Sequence, residues 1–209
     1  MSRLLSAVFA FAIALGALAA AQSSQQPPPK PAPRLDVIYV PTDDAVVAAM
    51  LKLADVRKND VVYDLGCGDG RIVIAAARDF GARGVGIDID PVRIAEARAA
   101  AVKAGVADRV TFIEGDIFDP SLKIGDATVV TLFLLQRLNE QLRPRLQREL
   151  KPGTRVVSHA WTMGERWPAD TTVQAGDSVV YLWKIRPPGG LKRPLYARPD
   201  TVGPYAFEP

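Results

Sequence analysis

The chain has 209 residues, of which 48% are hydrophobic and 23% are charged, and its formal net charge is +3. This length allows one domain with a buried core and short extensions, and so small a charge does not indicate a nucleic-acid partner. The sequence contains one cysteine, Cys67, and one histidine, His159. These counts exclude an internal disulfide and a zinc site of the Cys/His type, and we expect no metal site.

The first 36 residues are predicted to lie outside the domain. An apolar run over residues 4–21 follows the single positive residue Arg3 and ends in small residues that resemble a cleavage site. Residues 1–21 are interpreted as a signal peptide, with an uncleaved membrane anchor as the alternative. The protein is therefore expected to be exported to the periplasm or to associate with a membrane through residues 4–21. Residues 22–36 are rich in proline and are predicted to form a linker.

Residues 37–186 are predicted to form the domain, in which strands and helices alternate. After a helix with Thr42 as its N-cap, the predicted strands and helices follow in this order: strand 61–65, helix 71–80, strand 84–89, helix 91–104, strand 110–113, strand 127–134, helix 138–150, strand 155–159, and an antiparallel pair at 171–174 and 179–185. The alternation predicts an α/β fold with a Rossmann-like, doubly wound, mostly parallel seven-stranded sheet and an antiparallel last strand. Residues 187–209 are predicted to form an extended C-terminal tail.

Three glycines at alternate positions, Gly66, Gly68 and Gly70, connect the first strand to the next helix. Glycines let the backbone turn tightly and approach a ligand closely. A dinucleotide fingerprint has the spacing G-x-G-x-x-G and offers a helix N-terminus to a pyrophosphate, whereas here Asp64 and Asp69 place negative charge around the loop. Because carboxylates repel a pyrophosphate and suit an ammonium or a sulfonium, we favour S-adenosylmethionine (SAM) over NAD as the cofactor.

Two further strands are followed by carboxylates. Asp88 comes at the end of the second strand, 24 residues after Asp64, where an acidic side chain can accept hydrogen bonds from both ribose hydroxyls. Asp116 follows the third strand and can accept a hydrogen bond from the adenine amino group, with Ile117 against the ring. The spacing of these carboxylates fits a nucleoside at the carboxyl ends of neighbouring parallel strands.

The three segments resemble the SAM motifs of the seven-β-strand methyltransferase superfamily. Residues 64–70, 85–91 and 115–117 resemble its first motif, its ribose motif and its adenine motif, in the right order. The resemblance implies a class I SAM-dependent methyltransferase. The residues expected to bind the cofactor are Tyr39, Thr42, Asp64, Gly66, Cys67, Gly68, Asp69, Gly70, Asp88, Ile89, Asp116, Ile117 and Leu132.

A narrower resemblance is carried by residues 39–42, 64–77 and 141–158. These stretches are similar to the ATP synthase c-subunit lysine methyltransferase family and its bacterial relatives. That similarity implies an amine acceptor on a protein, and it implies that the loop 39–42 folds over the methionine end of SAM.

The catalytic residues are left open by the sequence, with Tyr39, Phe133 and His159 as candidates. His159 ends the fifth strand and could be a general base or a structural histidine. Phe133 and Tyr39 could wall the methyl site, although Phe133 could equally belong to the core. Trp161 and Trp167 either lie around the methyl acceptor or simply pack within the fold. Cys67 lies inside the glycine loop and is rejected as a nucleophile.

The predicted function is that of a SAM-dependent methyltransferase that N-methylates a protein lysine. The alternatives are a small-molecule methyltransferase, an inactive SAM-binding protein and, least favoured, a nicotinamide-dependent oxidoreductase. A monomer without a nucleic-acid partner is expected, and the arginines of residues 137–151 are interpreted as a solvated helix face. Export would separate such an enzyme from SAM, a cytosolic metabolite, so the predicted leader conflicts with the predicted function.

Overall fold

The computed structural model describes residues 39–187. Within that range seven strands and four helices follow one another along the chain. In order they are α1 (Asp44–Leu53), β1 (Val61–Leu65), α2 (Arg71–Phe80), β2 (Arg83–Asp88), α3 (Pro91–Lys103), β3 (Val110–Glu114), β4 (Val129–Leu132), α4 (Gln136–Glu149), β5 (Arg155–His159), β6 (Thr171–Ala175) and β7 (Ser178–Lys184). The predicted alternation is therefore present.

All seven of these strands form one sheet, in the order β3-β2-β1-β4-β5-β7-β6. The pairs from β3 to β5 are parallel, and β7 is antiparallel to both β5 and β6. The predicted mostly parallel, Rossmann-like sheet is confirmed, and its last strand is inserted antiparallel between β5 and β6. The connection from β3 to β4 carries the chain from one half of the sheet to the other, so the strand order reverses between β1 and β4. Proteins of the α/β class bind ligands at the carboxyl ends of the strands at such a switch point.

Two apolar clusters cover the two faces of the sheet. Val62 of β1 packs with buried residues of α1, α2 and α3 on one face. Tyr63 and Leu65 of the same strand pack with Leu142 and Leu146 of α4 on the other face. All five residues of β1 are buried, as expected for a central strand covered on both sides. The loop that leaves β1 therefore starts from a rigid position.

Three predicted boundaries are wrong in informative ways. Helix α1 begins at Asp44 with Asp43 as its N-cap, because the polar atoms of Thr42 have other partners: its carbonyl accepts a 2.8 Å hydrogen bond from Arg71. Strand β4 covers four residues rather than the predicted 127–134, and α4 begins at Gln136 rather than at 138. The residues between β4 and α4 leave the sheet and line a cleft.

The predicted signal peptide or anchor (1–21) and linker (22–36) lie outside the described residues, as does the predicted tail apart from its first residue, 187. Between residues 39 and 187, no helix is both long enough and apolar enough to cross a membrane.

Candidate active site

A cleft that is partly open to solvent lies at the carboxyl ends of β1, β2 and β4. The loop 39–42 forms one wall, and the segments that follow β3 and β4 form others. The cleft brings together residues predicted from separate segments of the sequence. Those that line it are Tyr39, Thr42, Asp64, Gly66, Cys67, Asp69, Asp88, Ile89, Asp116, Ile117 and Phe133.

Gly68 and Gly70 do not line the cleft but shape the loop that does. Both have positive φ, +51° and +76°. A Cβ atom on Gly68 would lie 2.4 Å from the Tyr39 ring, and one on Gly70 would lie 2.5 Å from the Phe112 ring. Leu132 was predicted to touch the cofactor, but its side chain is buried in the core on the α4 face instead, because β4 continues straight through that residue before the chain turns into the cleft.

Asp88 ties the end of β2 to the glycine loop. Its Oδ2 accepts a 2.8 Å hydrogen bond from the Gly68 amide, and its Oδ1 accepts a 2.9 Å bond from the Asp90 amide. Each carboxylate oxygen has a second lone pair, so Asp88 can still accept hydrogen bonds from hydroxyls in the cleft. The same side chain thus holds the glycine loop in place and offers hydrogen-bond acceptors to a ligand.

Asp64 is the buried acid of the site. Its side chain is 2% exposed, and its Oδ1 accepts a 2.7 Å hydrogen bond from the Thr131 hydroxyl. Burial raises the pKa of Asp64 to about 7; the Thr131 hydrogen bond opposes this rise, and the charges of Asp88 and Asp69 add to it. A carboxyl group held in this way favours a cation beside it, because a positive charge lowers its pKa back towards the ordinary range.

Asp69 does not add free negative charge to the loop, contrary to expectation. Arg71 donates to its carboxylate from Nη2 at 2.7 Å and from Nε at 3.0 Å. Burial raises the pKa of Asp69, but the hydrogen bonds from Arg71 outweigh it and leave the pKa below its usual value. Since Arg71 also donates to the Thr42 carbonyl, this ion pair fastens the loop 39–42 to the glycine loop.

Two arginines near the loop 39–42 were missed from the sequence. Arg71 begins α2, and Arg93 places its guanidinium 4.8 Å from the centroid of the Tyr39 ring. Both line the cleft. The available signal was their position in the first turn of a helix that directly follows a SAM motif.

The segment after β3 forms an apolar slot with a polar rim. Ile117, Phe118 and Ile89 line it, and the Asp116 carboxylate at its edge accepts a 2.8 Å hydrogen bond from the Phe118 amide. Arg145 of α4 holds this segment from behind by donating to the Ile117 and Leu122 carbonyls. A slot of this kind suits a flat heteroaromatic ring that carries an amino group.

His159 lies beside the cleft but not in it. Its Nδ1 is 3.3 Å from Thr42 Oγ1 and its Nε2 is 2.9 Å from Ser178 Oγ, so neither nitrogen is free. The imidazole stacks on Phe133 at a centroid distance of 3.9 Å, and burial lowers the pKa of His159. We therefore interpret His159 as a structural support for Phe133, which does line the cleft.

The remaining reactive or aromatic candidates divide by burial. Cys67 is buried, and burial raises the pKa of its thiol, so it is inert as a nucleophile. Trp167 is buried and accepts a 2.8 Å hydrogen bond at its carbonyl from the indole of Trp183. Trp161, in contrast, is 39% exposed.

The donor set fits SAM better than a dinucleotide. Asp64 suits the cationic end, Asp88 suits the ribose hydroxyls, and the slot beside Asp116 suits adenine, whereas a pyrophosphate would face carboxylates. A Rossmann-like sheet with these side chains at its switch point defines a class I SAM-dependent methyltransferase. Residues 64–170 match the ANTKMT methyltransferase domain. The chain belongs to this family.

Three similar proteins illustrate the relationship. A protein-lysine N-methyltransferase from Saccharolobus islandicus is 47% identical over 154 residues, which cover 71% of this chain and 94% of that protein. The mouse ATP synthase c-subunit lysine N-methyltransferase is 30% identical over 147 residues, covering 70% of this chain but 58% of the mouse protein. A crystal structure from Salinibacter ruber, described as an RNA methyltransferase in complex with S-adenosyl-L-homocysteine, is 56% identical with a TM-score of 0.68 and covers 70% of this chain and 94% of that one.

These comparisons confirm the predicted family, enzyme class and SAM cofactor. They contradict the predicted location. The match includes almost the whole of the Saccharolobus islandicus protein, so that relative has no room for a counterpart of the 36 residues predicted to precede the domain. The prediction of export or N-terminal anchoring is therefore wrong: it relied on a local pattern alone, in which Arg3, an apolar run over residues 4–21 and small residues follow one another.

Proposed function

We propose that this protein is a SAM-dependent protein-lysine N-methyltransferase. The observation that carries the proposal is the 47% identity to a protein-lysine N-methyltransferase over 94% of that protein's length. The sequence motifs independently favour the same acceptor class, because they resemble a family of lysine methyltransferases. Which protein and which lysine are methylated depends on surfaces outside the cofactor site.

Bound SAM supplies an electrophilic methyl group on a sulfonium, which a neutral amine takes by in-line displacement. Asp64 would hold the ammonium end of the cofactor, and Thr131 keeps the Asp64 carboxylate oriented. Asp88 would accept hydrogen bonds from the ribose, and Ile117, Phe118 and Asp116 would enclose the adenine. Catalysis by these residues is mainly positioning.

The acceptor side of the cleft is aromatic rather than basic. Phe133 and Tyr39 line it, and the one histidine of the sequence has both nitrogens engaged elsewhere. We infer that the lysine must reach the site as the neutral amine, with its proton released to water. Phe133 is held in place by stacking on His159, so its contribution is to orient the amine and exclude water.

RNA is the second acceptor class to be tested, because the Salinibacter ruber relative is described as an RNA methyltransferase. The arginines of α4 argue against it here. Arg143 donates to the Met163 carbonyl at 2.6 Å, and Arg145 is buried against the Ile117 and Leu122 carbonyls. Two of the four arginines of this helix are thus used inside the fold and Arg148 pairs with Glu149, so most of its positive charge is compensated within the protein rather than offered to a nucleic-acid backbone.

The experiment uses the full chain with methyl-labelled SAM and two sets of acceptors. The first is an array of 15-residue peptides with one central lysine, each paired with the same peptide carrying arginine. The second is transcribed RNA of mixed sequence. We expect label on lysine peptides alone, located on Nζ by fragmentation mass spectrometry and lost in the Asp64→Asn variant. Label in RNA with none in any peptide would overturn the proposal, as would turnover confined to free small amines.

A further inference from the structure

The loop that follows β5 is held in a strained conformation. Ala160 has a φ of +62°, and the Trp161 amide donates a 2.7 Å hydrogen bond to the His159 carbonyl, which closes a three-residue turn around Ala160. A three-residue turn with positive φ at a residue other than glycine is rare and costs energy. Such strain persists only where the surroundings enforce it.

Helix α4 enforces this conformation. Asn139, which is completely buried, donates from Nδ2 to the Trp161 carbonyl at 3.1 Å and to the Thr162 carbonyl at 3.3 Å. One turn further along, Arg143 donates to the Met163 carbonyl. Three successive carbonyls of the loop therefore accept hydrogen bonds from side chains of a single helix.

The arrangement of Asn139 leaves one polar atom of its side chain unpaired. Asn139 Oδ1 is buried without a hydrogen-bond partner in the described part of the chain. An unpaired buried acceptor is unfavourable. The Asn139 side chain is thus devoted to its donor group, whose partners are the carbonyls that set the direction of the chain at residues 161 and 162, with Ser158 Oγ as a third contact at 3.1 Å.

The residue presented by this turn is Trp161, which follows β5, the neighbour of β4, so it lies at the same edge of the sheet as the cleft residue Phe133. His159, two residues earlier, stacks on the cleft residue Phe133, and Leu138, one residue before Asn139, lines the cleft. Trp161 is 39% exposed, whereas Trp167 and Trp183 are buried. A partly exposed indole can contact a ligand, and its ring attracts both aliphatic chains and ammonium groups.

We propose that Trp161 is the specificity-determining residue that contacts the target lysine side chain, and that Asn139 is the positioning residue that orients Trp161. This inference rests on the proposed function, because a lysine has both parts that an indole recognises: an aliphatic stem and, before deprotonation, an ammonium head. The lysine would pass over the Trp161 ring before its amine meets Phe133.

The test compares Trp161→Ala, Trp161→Phe and Asn139→Ala, using the lysine peptide that the unmodified protein methylates best. Trp161→Ala should raise the KM for the peptide by about tenfold or more, with SAM affinity within twofold and a smaller change in kcat. Trp161→Phe keeps an aromatic face and should retain most of the affinity. Asn139→Ala should raise the same KM, and the double variant should be no worse than Trp161→Ala alone, because both act through one ring.

Val173→Ala is the matched control, since Val173 is also 39% exposed and lies on the edge strand β6. It should leave the peptide KM unchanged. A spectroscopic measurement separates contact from folding: peptide should protect the unmodified protein from acrylamide quenching, and this protection should disappear in Trp161→Phe.

The two proposals fail in different ways. An unchanged peptide KM in Trp161→Ala, with the unmodified protein active on lysine peptides, would overturn the role of Trp161 alone. If Asn139→Ala alters SAM affinity as much as peptide KM, the positioning role is wrong and Asn139 only stabilises the fold. If the unmodified protein methylates no lysine peptide, the proposed function fails and the inference about Trp161 falls with it.

Discussion

The Thr131 hydroxyl donates a 2.7 Å hydrogen bond to Oδ1 of Asp64, and the two residues are register partners on the parallel strands β4 and β1. Thr131 is completely buried and Asp64 is nearly so. Burial raises the pKa of Asp64 to about 7, and the Thr131 hydrogen bond opposes that rise. The pair therefore places a carboxyl group that titrates near neutrality at the floor of the cofactor cleft.

The first prediction concerns the stability of the cofactor-free protein. Because the pKa of Asp64 rises from an ordinary value near 4 to about 7 on folding, the native state binds more protons than the unfolded state between pH 4 and pH 7. Stability is therefore lost as the pH rises through that window, and the penalty is complete above pH 7. The variant Asp64→Asn lacks this penalty. The difference in unfolding free energy between Asp64→Asn and the unmodified protein should therefore shift in favour of the variant by on the order of 3–4 kcal/mol between pH 4 and pH 8.

Urea denaturation of both proteins between pH 4 and pH 8 measures this gap. Asp79→Asn is the control of opposite sign, since the hydrogen bonds from Arg78 hold the pKa of Asp79 below its usual value. It should become less stable relative to the unmodified protein as the pH rises. A pH-independent gap for Asp64→Asn would mean that Asp64 is already ionised in the folded protein at pH 5.

The second prediction concerns SAM affinity. A cationic ligand requires the ionised carboxylate, so a protonated Asp64 must release its proton on binding. Below pH 7 the dissociation constant for SAM should rise by about tenfold per pH unit, and it should level off between pH 7 and the pKa of the SAM amino group, about 8. Calorimetry in buffers of different ionisation enthalpy should detect close to one proton released at pH 6 and less than half a proton at pH 7.5. Equal proton release at both values would place the titrating group elsewhere.

The third prediction isolates the contribution of Thr131. Thr131→Val preserves the shape but removes the hydroxyl donor that lowers the pKa of Asp64, so the midpoint of the SAM pH profile should move upwards. SAM affinity at pH 7 should fall by about tenfold and recover at pH 9, and Thr131→Ser should restore the original profile. A loss of affinity that persists at pH 9 would indicate a packing defect rather than a change in ionisation.

The fourth prediction separates the backbone cost of replacing a glycine that has positive φ from the cost of steric overlap with its neighbours. Gly70 and Gly105 have φ values of +76° and +70°, but a Cβ on Gly70 would lie 2.5 Å from the Phe112 ring, while nothing lies within 4 Å of a Cβ on Gly105. Gly105→Ala should cost about 1 kcal/mol of unfolding free energy for the backbone alone. Gly70→Ala should cost about 2–4 kcal/mol because overpacking adds to it. Equal losses would show that Phe112 moves aside freely.

The fifth prediction concerns His159. Because its nitrogens lie within hydrogen-bond distance of Thr42 and Ser178 and its ring supports Phe133, His159→Gln should lower the unfolding free energy by about 1–3 kcal/mol. Its kcat should fall only a few-fold, and the pH dependence of kcat should keep its shape. A loss of kcat above a hundredfold, with the pH profile of kcat flattened and SAM affinity intact, would reinstate His159 as the general base.

Local sequence was sufficient for the fold and for the cofactor. The order of strands and helices follows from hydrophobic period and from glycine and proline positions, which are properties of neighbouring residues. The carboxylates Asp64, Asp88 and Asp116 could be placed because each lies at or just past the end of a strand, and parallel strands bring such ends to one edge of the sheet. The misplaced cofactor contact Leu132 shows the limit: one residue decides whether a side chain points into the core or lies past the end of the strand.

Only the tertiary structure decided what each charged or aromatic side chain does, because its partner lies far away in sequence. The Arg71 guanidinium that pairs with Asp69 also donates to the Thr42 carbonyl, 29 residues earlier, and the His159 Nδ1 is taken up by Thr42, 117 residues earlier. Trp161 and Trp167 are alike in the sequence, yet hydrogen bonds from α4 to the loop hold one at the surface while packing buries the other. The order of strands and helices along the chain and the motif spacing are encoded locally, whereas the exposure of a side chain and its availability depend on contacts with distant residues.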